Sequence, residues 1–166
     1  MHSDPFYPPR RALPLAALLS LLLVLAAPAA RAAETVRWTD ITLLDGRTLS
    51  AAELNGKTVV VQMWASWCPF CMRQNPHIQK LHEAAAGKLI VLGLSIAKAP
   101  ATEIDYMKKR SYTFAAAMAP KEADQWFGKR RTLPEVYVVA PGGKVVFRED
   151  GEMFPEDIAA LIRFAR

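Results

Sequence analysis

The only two cysteines of this chain, Cys68 and Cys71, stand where an apolar run ends and a helix begins, and that junction constrains the rest. Val59-Val60-Val61-Gln62-Met63-Trp64 reads as a buried strand, with three valines in succession. Trp64 to Trp67 ends it. Pro69 then marks the first turn of a helix, where its missing N–H leaves nothing unpaired. Cys71 follows Cys68 by three residues, which sets both sulfurs on one helix face, one turn apart and within reach of a disulfide. The unpaired N–H groups and the positive dipole end of that turn favour a thiolate on Cys68. A thiol of ordinary pKa ~8.5 falls to roughly 3.5–7.5 in such a place. Cys71 lies deeper in the helix. Cys68 is therefore read as the attacking sulfur and Cys71 as the resolving one.

Trp64-Ala65-Ser66-Trp67-Cys68-Pro69-Phe70-Cys71, followed by Asn75-Pro76, resembles the active site of a thioredoxin-fold protein. It is most similar to the envelope branch called TlpA-like, which includes the CcmG-like thioredoxins of cytochrome c maturation. The resemblance runs from about Thr35 to Phe164. It implies an α/β thioredoxin fold with a central mixed sheet, helices on both faces and an N-terminal β-hairpin extension. It also implies a cis-proline facing the cysteine pair, a role that falls on Pro134. An X-Pro bond adopts cis at low cost, which would leave the backbone of Leu133 open to an extended substrate. Trp67, Pro69, Phe70, Leu133 and Pro134 are the expected substrate-binding residues. Glu135, directly after the proline, matches the acidic residue of the CcmG-like proteins, whereas Val136 and Tyr137 depart from their Thr and Phe.

The N-terminus sets the compartment. Arg10-Arg11 precede an apolar stretch from Leu13 to Ala27, and Ala30-Arg31-Ala32 offers a small-residue cleavage site. This is the pattern of a secretory signal peptide over residues 1–32, with a thioredoxin-like domain over 33–166. An uncleaved anchor is the rival, but about 15 apolar residues fall short of the ~20 that span a bilayer. Export implies an oxidising compartment, where a disulfide persists. Two cysteines three apart staple nothing distant, so the pair reads as redox-active rather than structural.

The 166 residues carry a net charge of +5, and without residues 1–32 there remain 18 basic against 15 acidic side chains. No basic run is interleaved with stacking aromatics, so a nucleic-acid partner is not expected. His77 and His82 follow the cysteines too closely for a finger-type zinc site, and no metal or cofactor is expected.

Along the chain, Val36 to Leu49 reads as a hairpin turning at Asp45-Gly46, and Asn55-Gly56 as the turn into the central strand. A helix from Pro69 to about Ala86 contains Pro76, which should kink it. Leu89–Ile96 reads as a second buried strand. Pro100 and Thr102 open a helix through about Arg110, with Ile104 and Met107 on one face. Phe114–Met118 reads as a short strand, Lys121–Phe127 as a short helix and Glu135–Val139 as a strand. After a turn at Ala140–Lys144, Val145–Phe147 returns, and a helix from Pro155 to Ala165 closes the chain with Ile158, Leu161 and Ile162 inward.

Phe70 bears on the direction of electron flow. It brings no charge and no hydrogen-bond donor to Cys68, where oxidases and isomerases of this fold often carry His. The helix end alone contributes about 0.3–2 kcal/mol, only tens of millivolts at ~30 mV per 1.4 kcal/mol. The expected activity is thus reduction of disulfides in envelope proteins, with apocytochrome c as the narrower substrate and a membrane thiol donor upstream. The chain is expected to act as a monomer. A disulfide oxidase or isomerase, and a non-catalytic binding or copper-carrying module, are the alternatives. Gln62, six residues before Cys68, occupies the place of the buried Asp of cytoplasmic thioredoxins, so Glu135 is the expected proton relay for Cys71.

Overall fold

The computed structural model describes residues 35–165; the expected signal peptide and its cleavage site lie outside the described residues. Five strands form the main sheet in the order β5-β4-β3-β6-β7. They are β3 (Val59–Trp64), β4 (Ile90–Ser95), β5 (Ala115–Met118), β6 (Glu135–Val139) and β7 (Val145–Asp150). β4 runs parallel to β3, and β5 to β4, while β6 and β7 are antiparallel to their neighbours. The expected mixed sheet is therefore present. A separate two-stranded antiparallel pair, β1 (Ile41–Thr42) and β2 (Thr48–Leu49), precedes it and turns at Asp45-Gly46 as expected. It caps the sheet margin at β5, where the Leu44 N–H donates to the Ala116 carbonyl at 2.7 Å.

β3 is the centre of this sheet, and every one of its six residues is buried, as its unbroken apolar run requires. Its side chains alternate between two core layers. Val60 and Trp64 join Cys68, Cys71, Ile78, Leu81, Val136, Val138, Ile158 and Leu161 on one face. Val59, Val61 and Met63 join Trp38, Ile41, Leu54, Trp126, Phe127 and Tyr137 on the other. The first face carries α2 (Pro69–Ala85), α3 (Pro100–Lys109), α5 (Pro155–Ala160) and a closing 3-10 turn (Leu161–Phe164). The second carries α1 (Ala51–Gly56) and α4 (Ala123–Phe127).

One expectation is corrected. Asn55-Gly56 is the end of α1 and not a turn; Ser50 caps it, its Oγ accepting from the Glu53 N–H at 3.1 Å. α2 runs unbroken from Pro69 to Ala85 with Pro76 inside it. On α3 the buried residues are Glu103 and Met107, four apart, while Ile104 is only half-buried. Close packing fixes one glycine: a Cβ on Gly93 would fall 2.8 Å from Trp64 Nε1 and 2.9 Å from the Phe114 ring. Trp64 and Phe114 can pack against β4 at this point only because residue 93 has no side chain.

Candidate functional site

Cys68 occupies the N-cap of α2, with extended backbone angles of φ −83° and ψ 114°. Its own N–H donates to the Ala65 carbonyl at 3.2 Å, and its carbonyl accepts from Met72 at 3.0 Å. The Cys71 N–H donates to Cys68 Sγ at 3.2 Å. The sulfur thus takes the place that a Ser or Asp oxygen takes in an ordinary helix cap. The two cysteines are disulfide-bonded, with Cα atoms 5.2 Å apart. Cys71 is fully buried and Cys68 is 3% exposed. On reduction, Cys68 would sit as a thiolate at a helix N-terminus with a backbone donor already aimed at it, the arrangement that activates a thiol.

An apolar rim surrounds the pair. Trp67 is 64% exposed and Phe70 51%, and Pro69 between the cysteines is also exposed. Leu133 is half-buried, Pro134 is buried, and the peptide joining them is cis, as the resemblance implied. Register places this peptide beside the cysteines: Glu135 pairs with Met63, so Leu133-Pro134 lies level with the end of β3, where the chain turns towards Cys68. The Arg73 guanidinium lies 4.7 Å over the Phe70 ring and forms two hydrogen bonds to Glu152, at 2.9 and 2.6 Å. Phe154, 71% exposed, follows on the same segment. Sequence reasoning had no reason to single it out.

Beneath the pair lies a buried chain of amides. Gln62 Nε2 donates to Asn75 Oδ1 at 2.6 Å, and its Oε1 accepts from Gln74 Nε2 at 2.8 Å. Gln74 Oε1 accepts from the Met153 N–H at 2.7 Å, and Asn75 Nδ2 donates to the Tyr106 hydroxyl at 3.2 Å. Gln74 stands one turn below Cys71. The polar groups under the resolving cysteine are therefore neutral, and each side chain satisfies another, as burial demands.

Two glutamates are fully buried nearby. Glu103, on α3, accepts from the Ser66 N–H at 3.2–3.3 Å, from the Ser66 hydroxyl at 2.5 Å and from the Ser95 hydroxyl at 2.9 Å. Sequence reasoning missed it, because a Glu in a first helical turn is ordinarily a solvated residue favoured by the helix dipole. Glu135 accepts from the Arg131 N–H at 2.9 Å and from the Tyr137 hydroxyl at 2.8 Å. Arg148 stands 3.9 Å from it. The Tyr137 hydroxyl is pushed well above its usual pKa by burial and by donating to this carboxylate. Met63 and Tyr137 belong to the core layer opposite α2, and Glu135 points to that same face. Glu135, the expected relay for Cys71, thus has its hydrogen bonds with the loop before Pro134 and with Tyr137. His77 and His82 are half-buried on α2, and burial lowers the pKa of His82.

A family model described as Redoxin matches residues 26–162. The thiol:disulfide interchange protein DsbE of Pseudomonas aeruginosa is 25% identical over 122 residues, 69% of this chain and 65% of that protein. The thiol-disulfide oxidoreductase ResA of Halalkalibacterium halodurans is 27% identical over 128 residues, 72% of this chain and 70% of that one. Among solved structures, a thioredoxin-family thiol:disulfide interchange protein from Chlorobium tepidum superposes with a TM-score of 0.72 at 22% identity, covering 80% of this chain and 96% of its own. A secreted disulfide oxidoreductase of Mycobacterium tuberculosis superposes at 0.65 and 18% identity, covering 76% and 95%. These superpositions establish the thioredoxin-like fold.

Proposed function

The chain belongs to the Redoxin family, and we propose that it is an exported thiol–disulfide oxidoreductase that reduces disulfides in envelope proteins. The observation that carries this reading is the position of Cys68: its sulfur caps α2, is bonded to a buried Cys71, and lies within an exposed apolar rim. In the reduced protein the Cys68 thiolate attacks one sulfur of a target disulfide. The target S–S bond breaks, a mixed disulfide forms, and the released target thiolate takes up a proton. Cys71 then loses its proton and attacks Cys68 Sγ. The mixed disulfide breaks, Cys68–Cys71 forms, and the second target sulfur leaves as a thiol. Two electrons have passed to the target. A dithiol donor at the membrane restores the pair by the same exchange in reverse.

Trp67, Pro69 and Phe70 on one side, with Leu133 and Pro134 on the other, form the groove for an extended target chain. Their apolar surface fits an unfolded substrate better than a folded one. Reduction is favoured over oxidation because Phe70 adds nothing that stabilises the Cys68 thiolate beyond the helix end. Within this reading the narrower substrate is apocytochrome c, whose paired cysteines must be thiols before haem attachment. The N-terminal residues fit export by a signal peptide, and no described helix is long and apolar enough to cross a membrane.

The test is a peptide carrying an oxidised Cys-x-x-Cys-His. The reduced protein is expected to convert it to the dithiol, and Cys71→Ser to stop at a Cys68-linked mixed disulfide. Failure of the wild-type protein to reduce the peptide, together with reduction of other protein disulfides, would remove the cytochrome substrate. Failure on all of them would remove the reductase reading and leave the oxidase.

A further inference from the structure

We propose that Glu103 is a positioning residue for Cys68: acting through Ser66, it fixes the turn before the cysteine and withholds that turn's donors from the sulfur, which keeps the Cys68–Cys71 disulfide reducing. The proposal rests on the reductase reading and deepens it.

The carboxylate joins three elements. Ser66 lies in the turn after β3, Ser95 ends β4, and Glu103 sits in the first turn of α3. Every contact to Glu103 is one in which it accepts. Ser95 is held in turn, its Oγ accepting from the Ala97 N–H at 3.1 Å. Burying a carboxylate is costly unless hydrogen bonds satisfy it, and a neutral side chain would fill this space more cheaply. What the carboxylate alone supplies is an acceptor for all three donors at once, the Ser66 N–H and hydroxyl and the Ser95 hydroxyl, and a negative charge bonded to Ser66, two residues before Cys68.

Both act on the sulfur in one direction. A thiolate is stabilised by nearby N–H and O–H donors and destabilised by a like charge. With Ser66 committed to Glu103, the described donor left to Cys68 Sγ is the Cys71 N–H. No described cation forms an ion pair with Glu103. Arg130 lies in the groove beside Ser95 but is bound to Asp124 at 2.7 Å, and Arg73 on α2 is bound to Glu152 at 2.6 Å. Lys121 also lines that groove, and Asp105 and Lys108 on α3 are exposed. A less stable thiolate makes the dithiol less favoured and the disulfide a weaker oxidant.

The experiment uses the full chain with Glu103→Gln, and Asp105→Asn as the control that removes an exposed carboxylate from the same helix. Two quantities are read: the equilibrium constant with glutathione, and the pH midpoint of Cys68 alkylation by iodoacetamide. Glu103→Gln is expected to move the equilibrium about tenfold towards the dithiol, or ~30 mV, and to lower the alkylation midpoint. Asp105→Asn should leave both in place. A folded Glu103→Gln protein with both unmoved overturns the proposal. If Glu103→Gln does not fold, Ser66→Ala decides, because Ser66 is half-buried and its loss leaves the carboxylate in place. An exchange rate several-fold slower at unchanged KM supports positioning, and an unchanged rate refutes it. A wild-type potential in the oxidase range, with Glu103→Gln still shifted upwards, would sink the reductase reading and leave the role of Glu103 standing.

Discussion

Glu103 and Glu135 are the two fully buried carboxylates among the described residues, and each holds one of the segments that meet at the disulfide. Glu103 holds the turn before Cys68 from the α2 side of the sheet; Glu135 holds the loop before Pro134 from the other. Their partners differ in kind. Glu103 is satisfied by two serines and a backbone N–H, all neutral. Glu135 has a neutral tyrosine and backbone donors but also Arg148 at 3.9 Å, which is itself hydrogen-bonded to Asp150 at 2.8 Å. Among the described residues no cation pairs with Glu103, whereas Arg148 pairs with Glu135. A buried, balanced carboxylate organises backbone; an unbalanced one also acts on its neighbours through its field.

The largest expected effect breaks the balanced site. Glu135→Ala leaves the Arg131 N–H and the Tyr137 hydroxyl without their acceptor, and should cost about 2–4 kcal/mol in denaturant unfolding. Arg148→Met removes the long pair to Glu135 together with the part-exposed Asp150 pair, the bond to the Phe127 carbonyl and the contact over the Tyr137 ring, and should still cost less than Glu135→Ala, about 1 kcal/mol. Equal losses would mean that the ion pair, and not the backbone donors, holds this loop.

The next comparison is redox. Glu135→Gln keeps an acceptor for the loop and lies across the sheet from Cys71, so its glutathione equilibrium should move by less than about twofold, against about tenfold for Glu103→Gln. A large shift, or a changed pH profile of exchange, would make Glu135 the proton relay and reverse the assignment of the two glutamates.

What the sequence made legible follows from this contrast. The strand–turn–helix around Cys68 follows from local signals, a valine run and a proline in a first turn, whereas the cis-proline and the mixed sheet came from the resemblance and from no local signal. Glu135 was visible because it adjoins Pro134, but its facing was not, since one strand position decides which side of the sheet a side chain takes. Glu103 was invisible because its partners are 37 and 8 residues away, at Ser66 and Ser95, and no periodicity joins them. Helix α1 was legible in principle, as Ser50 and Glu53 form the Ser-x-x-Glu pattern of a capping box, yet Asn55-Gly56 is the more conspicuous turn signal. The amide chain through Gln62, Gln74 and Asn75 was half visible, with Gln62 marked by its place before Cys68.

The smallest expected effect lies on α2 itself. Burial lowers the pKa of His82 in the fold from its ordinary 6.5. The unfolded chain therefore binds that proton first, and stability should fall as pH drops through 6.5 towards the lowered value. Against the wild-type curve, His82→Gln should flatten the pH dependence of Tm in that window. An equal slope in both proteins would assign it to another group.

The reduction potential of the Cys68–Cys71 pair, measured by equilibration with dithiothreitol or glutathione, tests the central claim most directly. A neutral site under the pair, Phe70 between the cysteines and Ser66 committed to Glu103 predict a value near or below about −270 mV, that of a reductant. A value of about −120 to −180 mV would contradict this account and make the protein an oxidase or isomerase.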